Sequence, residues 1–129
     1  MDERRKAPRK SLMAYSQVFE LYGGQLLGYL GDLNLLGAMV IGDKPIAKDT
    51  NLTLAIELPE LADVKATRIV IPARAVWCEP DISPNYFNVG LVFIEVKPEQ
   101  TAIIQAIMDT YEFQRKVPSY MIKPSASQK

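Results

Sequence analysis

The sequence has no histidine and a single cysteine, Cys78. Without histidine it lacks the usual general base near neutral pH, the serine–histidine–acid triad and most zinc sites. One cysteine cannot close an internal disulfide or build a thiolate metal cage, so Cys78 reads as a small buried apolar residue in a reducing compartment. No catalytic residue, metal or resident cofactor is therefore expected, and an enzyme is the least favoured class. Net charge is missing too, since 15 Lys+Arg balance 15 Asp+Glu. A neutral chain is poorly suited to coating DNA or RNA. No apolar run approaches the ~18 residues of a membrane span, so no membrane insertion is expected. The first ten residues are charged rather than apolar, which argues against a secretory leader and for a cytoplasmic location.

What is present is a chain of 129 residues, 48% hydrophobic, enough for one domain with a real core. The balanced charge is unevenly spread. Residues 3–10 hold Arg4, Arg5, Lys6, Arg9 and Lys10 against Glu3. This stretch has no hydrophobic periodicity, and Pro8 disfavours helix before it, so residues 1–10 are expected to form a flexible basic arm suited to a small anion.

Alternating apolar residues predict strands over residues 11–22, 25–33, 38–41, 51–58, 64–79 and 86–96. Gly23-Gly24 marks a hairpin, and Gly28 and Gly31 allow a sharp bend or bulge. Pro72 inside the fifth run calls for an edge or a bulge. The period then changes: Ile103, Ile104, Ile107, Met108 and Tyr111 share a helical face, with Pro98 in the first turn. Arg115 and Lys116 would close this helix and Pro118 would stop it, leaving residues 117–129 as a loose tail. These runs predict a mainly β fold, a small six-stranded antiparallel β-barrel with a C-terminal α-helix that caps an opening or covers an edge, spanning residues 11–116.

Where the second run ends and the third begins stand Asp32, Asn34 and Gly37, spaced D-x-N-x-x-G. Asp and Asn bond nearby backbone groups and Gly turns freely, so the three mark a chain reversal that also presents a polar ledge. With Arg5-Lys6-Ala7-Pro8-Arg9 as R-x-x-x-R, and with the later Val76-Trp77 and Gly90-Leu91-Val92-Phe93, the chain resembles the PilZ domain family over roughly residues 3 to 116. That family comprises bacterial receptor modules for the second messenger cyclic di-GMP. Asn34 departs from the serine usual in the second motif; its amide can donate and accept, but it is bulkier.

The resemblance implies a ligand, cyclic di-GMP, and a set of residues to bind it: Arg4, Arg5, Arg9, Asp32, Asn34 and Gly37. The chemistry fits. A guanidinium pairs bidentately with phosphate oxygens or guanine O6 and N7, and stacks on bases. Asp32 offers only acceptors to the donor edge of guanine, Asn34 adds a polar contact, and Gly37 lets the backbone approach. In the family, a basic residue before R-x-x-x-R accompanies a stacked ligand dimer, and Arg4 holds that place. Ordering roughly seven arm residues costs on the order of 10 kcal/mol. The arm is thus expected to close over the barrel only with ligand, presenting a new surface to an unidentified downstream protein. Each feature also has a structural reading: a solvated basic tail, a plain turn, and a core or rim role for Trp77. Arg68 and Arg74 read as surface charges that reach a ligand only if their strand borders the site. The competing function is a degenerate PilZ domain that binds no nucleotide and acts through protein contacts. A barrel for single-stranded nucleic acid is disfavoured, since the arm has no interleaved aromatics.

Overall fold

The computed structural model describes residues 10–11 and 16–113. In chain order the elements are β1 (Lys10–Ser11), β2 (Gln17–Glu20), β3 (Leu26–Leu33), β4 (Gly37–Gly42), β5 (Asn51–Glu57), β6 (Arg68–Pro80), β7 (Phe87–Phe93), α1 (Pro98–Thr110) and β8 (Tyr111–Glu112). Six of them close a barrel in the order β2-β3-β4-β7-β6-β5, every neighbouring pair antiparallel. The expected fold class, a six-stranded antiparallel barrel followed by a helix, is the one observed.

Strand alternation fills the barrel. On β6, Ile69, Ile71, Ala73 and Ala75 point inward and are almost fully buried, while Arg68 before them and Arg74 among them are exposed. Val18, Leu30, Leu33, Ala38, Val40, Leu54, Ile56, Val89 and Leu91 complete the interior. Ile104 and Ile107, both fully buried, join the same core from α1, so the helix plugs one mouth of the barrel.

Curvature is set where strands must bend or touch. Gly31 is the extra residue at the register shift between Leu30 and Asp32, the bulge that its glycine implied. At Gly28, with φ +153°, a Cβ would stand 2.2 Å from the Ile41 carbonyl oxygen. The β3–β4 contact there closes only without a side chain.

Three expectations are corrected. Pro72 occupies neither an open edge nor a bulge, since the barrel is closed and the β6 bulge lies between Ala75 and Trp77. Its carbonyl accepts from Ile94 N at 2.8 Å, on the β7 side and just past the end of that strand. The N–H that proline lacks faces the same way, so it is missing where the ladder is already running out. The helix stops at Thr110 with no basic residue in its last turn, and Tyr111 enters β8. Periodicity could not show that β8 pairs in parallel with β1, which takes Tyr111 and Glu112 out of the helix. Finally, the run over 11–22 divides into β1 and β2. Residues 1–9 and 114–129, which include most of the expected arm, the two expected helix-closing cations and the tail, lie outside the described residues.

Candidate functional site

A ring of six antiparallel strands has two ends. The start of β2, the end of β3, the start of β4, the end of β7, the start of β6 and the end of β5 all lie at one of them. That end therefore carries the β3–β4 corner, the β5–β6 loop and the link from β7 to α1. Tyr111 of β8 is there too, its Oη donating to the Glu60 carbonyl oxygen at 2.6 Å in the β5–β6 loop. Lys10, the last residue of the basic run, is in register with Tyr111. The chain thus enters the barrel at the end where the D-x-N-x-x-G corner sits.

The corner is built by Asn34. Its Oδ1 accepts from Leu36 N at 2.7 Å and from Gly37 N at 3.0 Å, and its backbone N–H donates to the Gly37 carbonyl oxygen at 2.9 Å. This is an Asx-type turn that turns the chain from β3 into β4. With Oδ1 doubly occupied, the side-chain amide NH2 is what Asn34 offers a ligand. The Leu36 carbonyl oxygen accepts from Phe93 N at 2.9 Å and ties the corner to the end of β7. Leu35 and Leu36 are exposed at its tip, and Ile94 is exposed just beyond β7.

Asp32 stands in register with Met39, on the outer wall of the barrel, half-buried. One of its carboxylate oxygens accepts from Leu33 N at 2.9 Å. Asp32, Asn34 and Gly37 are therefore brought together within one corner. Arg4, Arg5 and Arg9 lie outside the described residues.

Beside Asp32 the outward positions of β4 and β7 are Met39, Gly90 and Val92, none of them charged. The row Asp32–Met39–Gly90–Trp77 crosses β3, β4, β7 and β6, and the row Gly37–Val92–Arg74 runs beside it. A Cβ on Gly90 would meet the Trp77 ring at 2.1 Å, so the indole lies flat against the strand. Trp77, for which a core or rim role was expected, is half-buried on the outer wall, and a mid-strand glycine opposite a tryptophan was the signal for that packing. Trp77 Nε1 and Asn88 Oδ1 are buried without a hydrogen-bond partner among the described residues. Arg74 Nε lies 3.8 Å from Asp49 Oδ1, both side chains more than half exposed. At the opposite end of the barrel, Pro45, Ile46, Lys48, Trp77, Cys78 and Phe87 line an open, mainly apolar cleft.

Among the described residues there is no group of three or more acidic, histidine or cysteine side chains placed to hold a metal. No helix among them is long and apolar enough to cross a membrane. A family model described as the PilZ domain matches residues 3–109, most of the chain. No curated protein and no solved structure matches the chain at a significant level.

Proposed function

The chain belongs to the PilZ domain family, and from that premise we propose that it is a receptor domain for cyclic di-GMP rather than an enzyme. The ligand rests against the β3–β4 corner and is clasped by the arginine arm. The observation that carries this reading is the meeting of two chain segments. The corner of Asp32, Asn34 and Gly37 and the anchored end of the basic run, Lys10, share one end of the barrel. Arg5 and Arg9 pair with phosphate or guanine, Asp32 accepts from the guanine N1–H and N2–H₂ edge, and Asn34 donates its amide. Arg4 favours a stacked pair of ligands. Closure of the arm changes the surface offered to a downstream protein, in the cytoplasm.

Calorimetric titration with cyclic di-GMP tests this. Micromolar binding, about 8 kcal/mol, is expected, with two ligands per chain. Arg5→Ala and Arg9→Ala should each lose at least about tenfold, roughly 1.4 kcal/mol. Unchanged affinity in either variant removes that arginine from the site.

One observation favours the second reading, a degenerate domain acting through protein contacts. Asn34 Oδ1 is wholly engaged in the turn, so the larger side chain serves the corner first. Binding that appears only in Asn34→Ser would establish that reading.

A further inference from the structure

We infer that Arg74 is a phosphate-binding residue of the same site, a cation fixed to the barrel wall. The inference rests on the cyclic di-GMP reading and deepens it, because the two motifs leave the wall itself without a positive charge. Ala73 and Ala75 are fully buried on either side of Arg74, so its side chain points out from the barrel. Val92 is in register with both Gly37 and Arg74, which puts Arg74 two strands from the motif glycine. At ~4.8 Å per strand the span is about 10 Å, which an arginine side chain and a phosphate bridge together.

The strip between is formed by β4 and β7, and its outward side chains beside the corner are Met39 and Val92, with Gly90 between them in the sheet. It carries no charge. Asp32 lies along one side of it and Arg74 along the other. A cyclic dinucleotide has the matching polarity, with donor-rich guanine edges for the acid and phosphates for the guanidinium. The contact Arg74 makes now is a loose one. An exposed pair at 3.8 Å to Asp49 contributes little to stability and is readily exchanged for a phosphate.

Arg68, the other cation on the outward face of β6, is placed differently. It is in register with Glu57 and shares a groove with Glu20 and Glu57. β7 does not extend beside it, since the β6–β7 register begins at Ala73 and Phe93. Two carboxylates compete there with any anion.

The test is calorimetry of the full chain with cyclic di-GMP, comparing wild type with Arg74→Ala, Arg74→Gln, Arg74→Lys and Arg68→Ala, each checked by its thermal midpoint. Arg74→Ala and Arg74→Gln should weaken binding at least tenfold. Arg74→Lys, which keeps the charge but loses the fork, should fall between them and wild type. Arg68→Ala should stay within twofold. Wild-type affinity in a folded variant lacking the Arg74 charge overturns the inference, as does an equal loss in Arg68→Ala, which would mark a general effect of net charge. No heat from the wild-type chain overturns the receptor reading and this inference together, and the silent wild type distinguishes that failure from the others.

Discussion

At the scale of single residues, Asn34 has two roles, one in the fold and one toward a ligand. Its Oδ1 satisfies the N–H groups of Leu36 and Gly37. Truncating it leaves both without that acceptor, one of them on a buried residue. Asn34→Ala should therefore cost about 1–3 kcal/mol, whereas Asn34→Ser, whose hydroxyl still accepts, should cost clearly less. Urea unfolding of the two variants checks this; equal midpoints would mean the turn does not depend on the side chain. The corner was legible in the sequence because Asp, Asn and Gly act locally, on backbone groups one to three residues away. Gly31 was legible as a bend or bulge because a glycine inside a strand run marks one. The demands on Gly28 and Gly90 were not. One is set by the Ile41 carbonyl and the other by the Trp77 ring, and both neighbours come from other strands.

At the scale of elements, the β-strands announced themselves by alternation; the first expected run divided, and the limits of the other five fell within a few residues of the expected ones. The helix did not end as its periodicity implied. Gln100 Oε1 accepts from Lys97 N at 3.0 Å and Gln100 Nε2 donates to the Val70 carbonyl oxygen at 2.8 Å, which caps the start of the helix and fastens it to β6. The far end is fixed by β8, through the parallel pairing with β1 and the Tyr111–Glu60 hydrogen bond. Partners so distant in sequence leave no periodic trace. Tyr111→Phe keeps the ring and removes only the hydrogen bond. It should lower global stability by about 0.5–1 kcal/mol and speed hydrogen exchange at the β8 amides while that of β6 and β7 holds. Unchanged exchange in β8 would show that the β1 pairing alone holds the segment.

At the scale of the whole molecule, the barrel's core and the basic leader differ in composition. The core draws on every barrel strand, on α1 and on Phe113, and the first nine residues are mostly charged. Deleting residues 1–9 should therefore leave the thermal midpoint within a few degrees of wild type, because almost no apolar burial is lost. The same deletion should abolish heat on titration with cyclic di-GMP, because the guanidinium groups of Arg4, Arg5 and Arg9 go with it. The intact chain supplies the complementary measurement. Under the proposed reading, ordering the arm costs on the order of 10 kcal/mol, and each charge-assisted bond to the ligand returns ~1.5–3 kcal/mol, so only several such bonds together make closure favourable. Hydrogen exchange at Arg4–Lys10 should then be fast in the free protein and slow with saturating nucleotide, with the interior strands unchanged. Equal protection in both states would mean that the arm does not close on the ligand. Full affinity in the shortened chain would place the binding energy on the barrel wall alone, with Asp32 and Arg74 rather than the arm.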